Sequence, residues 1–241
     1  MSSALAPAVL AACGNVIGAL AVTRHAQRSL HAIEQFLAFG AGFMLAVVLI
    51  EVLPAAFAQS GSQAALLVFA GYFAVHLSQH TLTPHFHFGE ETHHVSAVAA
   101  RSALFGLLLH TFFDGVAIAG AFLVRPQLGI VVAIAIFLHK LPEGVTIASL
   151  TLAAGGGARR AMWASVWLAV ATVVGVLVTD RVTFLVHHGL ALAAGVTLYV
   201  AASNLVPEFQ GKSGWKLPLS FFGGAAAFFL TKLLLDSVLS S

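Results

Sequence analysis

Apolar residues in this chain run in blocks too long for a strand or an ordinary surface helix. Eight stretches, about 5–22, 36–57, 64–83, 97–124, 127–153, 161–179, 183–206 and 217–239, approach or exceed the roughly 20 apolar residues that carry a helix across a bilayer. They are rich in Gly and Ala and lack the period-two alternation of barrel strands. Breakers separate them: Ser60-Gly61-Ser62, Arg125-Pro126, Gly155-Gly156-Gly157 and Gly211-Lys212-Ser213-Gly214. The pattern predicts an all-α polytopic membrane protein with eight transmembrane helices, forming one transmembrane domain over residues 1–241. No loop is long enough for a second domain. Small residues at Gly40, Ala41 and Gly42, and at Gly223, Gly224 and Ala225, predict close helix contacts.

Composition agrees with the pattern. Of 241 residues 59% are hydrophobic and only 8% charged, against about 25% charged in a soluble domain. Eleven Lys and Arg with nine Asp and Glu cannot cover a water-facing surface. That excludes a soluble globular domain and a disordered tail. A net charge of +2 from so few charges is no basic patch, so a nucleic-acid partner is excluded too. Cys13 is the single cysteine, which leaves no disulfide framework and no thiolate cluster. No basic segment precedes the first apolar run, so residues 5–22 read as a membrane helix and not as a cleaved leader.

Basic residues set the expected orientation. Odd-numbered loops hold Arg24, Arg28, Arg101, Arg159, Arg160, Lys212 and Lys216, and even-numbered loops only Arg125 and Arg181. That bias puts the odd loops in the cytoplasm and both termini outside. Lys140 and Lys232 fall within spans.

Ionisable side chains at membrane depth each cost about 2.5–3.5 kcal/mol on insertion scales and need a partner. Span four carries His110 and Asp114, and span five carries His139, Lys140 and Glu143. Glu51 lies in span two, and Asn204 and Glu208 end span seven. Two segments match: His110-Thr-Phe-Phe-Asp114-Gly115-Val-Ala-Ile-Ala119 and His139-Lys-Leu-Pro-Glu143-Gly144-Val-Thr-Ile-Ala148. Both read His-x-x-x-acid-Gly-Val-x-Ile-Ala. Adjacent spans run antiparallel, so the copies predict an inverted pairing of spans four and five. Residues four apart share a helix face. If the two faces meet, they offer two imidazoles and two carboxylates, a mixed set suited to a divalent transition metal and most naturally Zn²⁺. Two carboxylates also neutralise a dication in low dielectric. Pro142 removes a backbone hydrogen bond within span five, predicting a kink and a Leu138 carbonyl free to face a cavity. Pro54 and Pro207 stand close to Glu51 and Glu208 in the same way.

These residues resemble the ZIP (Zrt/Irt-like protein) family of divalent metal transporters, in particular its GufA-like prokaryotic branch. The likeness rests on His110-x-x-x-Asp114-Gly115 and His139-Lys-Leu-Pro-Glu143-Gly144, and extends to eight spans, outward termini and a His-rich third loop. It implies carriage of Zn²⁺, with Cd²⁺, Fe²⁺ and Mn²⁺ as further substrates, into the cytoplasm across the bacterial inner membrane, and no organic cofactor. The implied metal site is His110, Asp114, His139 and Glu143, with Met44 as a span-two ligand. From the residues alone Met44 reads as packing. Glu51, seven residues on, resembles an outer entry position, and Asn204 and Glu208 resemble pathway residues of span seven.

Departures from the family pattern are Thr111, Phe113 and Asp114 in span four, Lys140 after the span-five histidine, and the absence of Asp or Glu from 161–179. They predict a single transported ion, with the Lys140 ammonium replacing a second cation by pairing with Glu143 or Asp114. Around the third loop stand His76, His80, His85, His87, His93 and His94 with Glu90 and Glu91. The segment 84–96 is expected to be cytoplasmic, with His85, His87, His93 and His94 as metal-capable clusters receiving ions from the pore. The pattern leaves a homodimer open and gives His187 and His188 no role.

The expected mechanism is alternating access: entry past Glu51, exchange of water for protein ligands at mid-membrane, and exit toward the His-rich loop. A membrane-embedded zinc hydrolase is the rival, with a metal channel or sensor as a third reading. A hydrolase needs an open coordination position and a distinct general base. Here the two half-sites are equivalent and His-Glu-x-x-His is missing. The chain is therefore expected not to be an enzyme.

Overall fold

The computed structural model describes residues 3–24, 30–81, 97–207 and 214–239. Every regular element among them is helical. Helix α1 covers Leu5–Arg24 and α2 Leu30–Val47. A π-helical turn, Val48–Val52, leads into α3, Leu53–Ser60. A 3-10 turn, Gly61–Gln63, precedes α4, Ala64–Thr81. Then come α5, Ala97–Val124, α6, Pro126–Ala153, α7, Ala158–Thr179, and α8, Thr183–Tyr199. A second π-turn, Val200–Leu205, extends α8, and α9 is Lys216–Leu239.

Among the described residues, seven helices or helical runs are long and apolar enough to cross a membrane. In lipid only an element that satisfies its own backbone groups is tolerated, and helices do so. One of the seven, Glu34–Ser78, is 45 residues long. As a straight helix it would reach about 68 Å, twice the hydrocarbon thickness. It is not straight. Gly61 ends α3 with φ +57°, a backbone conformation that side chains with a Cβ resist. Ser60 Oγ donates to the carbonyl of His187 at the start of α8. At the other end Leu37 and Val75 share one apolar cluster with Tyr199 and Leu205. The run therefore doubles back on itself at Ser60–Gln63.

The helices pack as two groups. In one, α1 lies along α6 and α7, and α5 lies along α6 and α7. In the other, α2 packs on α9 and α4 on α8. The groups meet mainly where α5 touches α8 and α2 touches α6. Contacts come in matched pairs: α1 with α6 answers α7 with α5, and α2 with α9 answers α8 with α4. The two π-turns sit in the corresponding helices α2 and α8. The largest apolar cluster draws on both groups, from Phe43 and Phe228 to Ile118 and Ile136.

Candidate metal centre

Helices α5 and α6 bring the two matched motifs together. His110, Asp114, His139 and Glu143 are all buried, and each offers one ligand atom within 4.8 Å of the others. Asp114 Oδ2 is the hub. It lies 3.3 Å from His139 Nε2 and 3.5 Å from His110 Nε2. Ligands on a tetrahedral zinc at about 2.0–2.1 Å stand about 3.3–3.5 Å apart. Those two separations thus already match, and a pair at the 4.8 Å limit must draw in by about 1.4 Å.

The tautomer of His139 is set by its other nitrogen. Nδ1 is 3.1 Å from the carbonyl of Ala135, so Nδ1–H donates there. In the neutral ring the Nε2 lone pair then faces a carboxylate oxygen, an arrangement that a cation between them relieves. Asp114 Oδ1 and Glu143 Oε1 are also buried without a hydrogen-bond partner. Acceptors left bare in low dielectric are costly, and a bound metal would give these carboxylates a partner.

Lys140 enters the same cluster. Its side chain is fully buried, and Nζ donates to Asp114 Oδ2 at 2.9 Å and lies 3.5 Å from Glu143 Oε2. Lys140 reaches both carboxylates because it precedes Glu143 by three residues on α6 and faces α5.

The glycine after each acid lets these helices reach their outer neighbours. A Cβ on Gly115 would sit 2.0 Å from the Thr172 carbonyl oxygen on α7, and one on Gly144 would sit 2.0 Å from that of Asn15 on α1. Asn15 was missed by sequence reasoning. It is fully buried, and neither side-chain polar atom has a hydrogen-bond partner. A lone polar residue in the apolar run 5–22 was the available signal.

The other expected positions have their own surroundings. Met44 is fully buried in the apolar cluster of Ala41, Val196 and Tyr199, against which Phe113, the residue before Asp114, also packs. Glu51 sits in the first π-turn and is ion-paired with both Arg125 and Lys232. Neither partner was expected. Asn204 lies in the second π-turn, where its neighbour Ser203 is 3.0 Å from the hydroxyl of Tyr72. The Leu138 carbonyl, expected to face a cavity, lies against α2: a Cβ on Gly40 would be 3.6 Å from it. His76 and His80, counted with the loop, belong to α4. The His76 ring meets Tyr199 edge-on at 5.7 Å. Glu208, His85, His87, His93 and His94 lie outside the described residues.

Comparison with known proteins bears on the segment that carries this cluster. The ZIP zinc transporter family model matches residues 87–232, which contain both motifs. The chain belongs to the ZIP family. Among similar ZIP proteins, zinc transporter ZIP10 of Danio rerio is 31% identical over 104 residues, 42% of this chain and 12% of that protein. Zinc transporter ZIP6 of Homo sapiens is 30% identical over 119 residues, 46% of this chain and 15% of that protein. The alignments thus span less than a sixth of the length of these relatives. Membership agrees with the long apolar helices of a polytopic membrane protein.

Proposed function

We propose that this ZIP protein carries divalent metal, Zn²⁺ first, into the cytoplasm by alternating access. The observation that carries the reading is the convergence of His110, Asp114, His139 and Glu143 on one buried point. Two imidazoles and two carboxylates bind Zn²⁺ and Cd²⁺ better than Mg²⁺ or Ca²⁺. The relatives named as zinc transporters support zinc as the leading substrate.

In this reading the ion is held once, between α5 and α6, and Lys140 keeps the place of a second cation. Its contacts with Asp114 and Glu143 support that assignment. Met44 adds a thioether from α2 when the ion is bound, Glu51 meets the ion on entry, and Asn204 and Glu208 line its path. His85, His87, His93 and His94 receive it on the cytoplasmic side. The group of α1, α5, α6 and α7 moves against the group of α2, α4, α8 and α9. The reversal at Ser60–Gln63 supports counting Glu34–Ser78 as two crossings, hence eight in one transmembrane domain. The matched contacts of α1–α6 with α7–α5 support the inverted pairing of spans four and five. Basic residues support the orientation, with termini outside the inner membrane.

The test is uptake of radioactive zinc into proteoliposomes by the purified chain. Saturable uptake lost in Asp114→Asn is expected. Hydrolysis of an added peptide or ester without ion flux would instead support an enzyme.

A further inference from the structure

As an entry position Glu51 should be available to an arriving cation, yet both of its oxygens are already taken. Its side chain is 6% exposed and holds two cations, Arg125 and Lys232. The three come from distant parts of the chain. Glu51 is in the π-turn after α2, Lys232 is on α9, and Arg125 is the residue that joins α5 to α6.

These partners are not equivalent. Helices α2 and α9 pack on each other in one helix group, so Glu51–Lys232 is a bond within that group. Arg125 joins the two helices that carry the metal cluster, so Glu51–Arg125 is a bond between groups. Around it lies a cavity of about 10 Å³, the room of one water molecule. Lys232 and Asp236 line one side, and Gln127 and Val131 the other. That space is too small to hold a hydrated dication.

The π-turn explains how Glu51 reaches Arg125. An extra residue in the turn rotates the next stretch of helix away from its regular position, and the carboxylate is buried while its neighbours Leu49 and Ile50 stay exposed.

We propose that the Glu51–Arg125 ion pair is a latch closing the mouth between the two helix groups, and that Lys232 presets the carboxylate without closing anything. The inference rests on the carrier reading, since a mouth needs a latch only if the groups part. When they part, Arg125 leaves with α5 and α6 and Glu51 is freed to face the entering ion. Arg125 is thus a positioning residue that sets when Glu51 is offered.

The test uses the full chain in lipid nanodiscs, with Cys13→Ala removing the native thiol and Val131→Cys placing a reporter beside the cavity. The reaction rate of that cysteine with a water-soluble thiol reagent, without metal, reads the opening. Arg125→Gln is expected to raise the rate about fivefold, the scale of losing one half-exposed ion pair. Arg125→Lys, which keeps the charge, and Lys232→Gln, which removes only the bond within one group, are expected to stay at the parent rate. A merely structural ion cluster would respond alike to loss of either cation. Equal acceleration by Arg125→Gln and Lys232→Gln, or by neither, overturns the latch. Should Arg125→Gln not yield monodisperse protein, Glu51→Gln takes its place, with the same acceleration expected and an unchanged rate overturning the proposal. Acceleration in a chain that moves no zinc into liposomes would sink the carrier reading and leave the latch. Zinc uptake with an unchanged rate would do the opposite.

Discussion

At the scale of single residues, Asp114 Oδ2 is the atom on which the centre turns. Two imidazole nitrogens and one ammonium converge on it within 3.5 Å. Removing one ligand should therefore hurt more than removing a partner that only orients one, where losses run about 10–100-fold. His139→Ala is expected to lower the initial rate of zinc uptake by at least about tenfold in proteoliposomes, with protein yield unchanged. A rate within twofold of the parent would remove His139 from the site. Lys140 makes a different prediction, in stoichiometry. Its ammonium already satisfies one buried negative charge, so the parent chain should bind one Zn²⁺ in the centre. Lys140→Asn removes that charge and adds a ligand oxygen. Equilibrium dialysis of a chain without the loop histidines is expected to give one zinc for the parent and two for this variant. The two motifs were legible in the sequence because a spacing of four fixes a shared helix face. The lysine's choice of Asp114 over Glu143 as its nearer partner was not, since it depends on the facing helix.

At the scale of elements, close approach of α5 to α7 and of α6 to α1 rests on the glycine after each acid. A methyl at Gly115 or Gly144 would fall 2.0 Å from a neighbouring carbonyl oxygen, and backbone cannot step aside as a side chain can. Gly115→Ala and Gly144→Ala are each expected to destabilise the protein by about 1–3 kcal/mol, read as a lower melting temperature in detergent. Gly223→Ala serves as the contrast. Its added methyl would meet nothing nearer than 4.0 Å, so its melting temperature should hold or rise. The sequence carried a cue to both π-turns but not their form: Pro54 stands two residues beyond Val48–Val52 and Pro207 two beyond Val200–Leu205, each lacking a backbone donor. Pro142 was legible and stands inside helix α6, Pro126–Ala153; that the Leu138 carbonyl comes near Gly40 on α2 depends on packing that the sequence does not show.

At the scale of the whole molecule, the question is how many times the chain crosses the bilayer and which way it faces. Under eight crossings with the odd loops inside, exposed Ser62 lies outside and exposed Gly157 lies in the cytoplasm. In a Cys13→Ala background, Ser62→Cys is expected to react with a membrane-impermeant thiol reagent on intact cells. Gly157→Cys should react only after the membrane is opened. If Glu34–Ser78 crossed once, Ser62 would sit in lipid and stay unlabelled, and reversed labelling would invert the orientation. All four clustered residues belong to one helix group, to which the Glu51–Arg125 ion pair ties the other.

The sequence by itself determined the helices, because long apolar blocks in lipid have no other way to satisfy their backbone. It also paired His110 with Asp114 and His139 with Glu143, because His-x-x-x-acid fixes one helix face; that the two faces meet was decided by packing. Tertiary structure alone decided what those charges pair with. Glu51 is joined to Arg125 and Lys232 across 74 and 181 residues of chain, and Asn15 is buried beside Gly144 by a helix that no local pattern ties to α6. Separations of that length leave no periodicity to read. Such pairings arise from the low dielectric, which makes an isolated charge so costly that it takes whatever opposite charge the packing brings near.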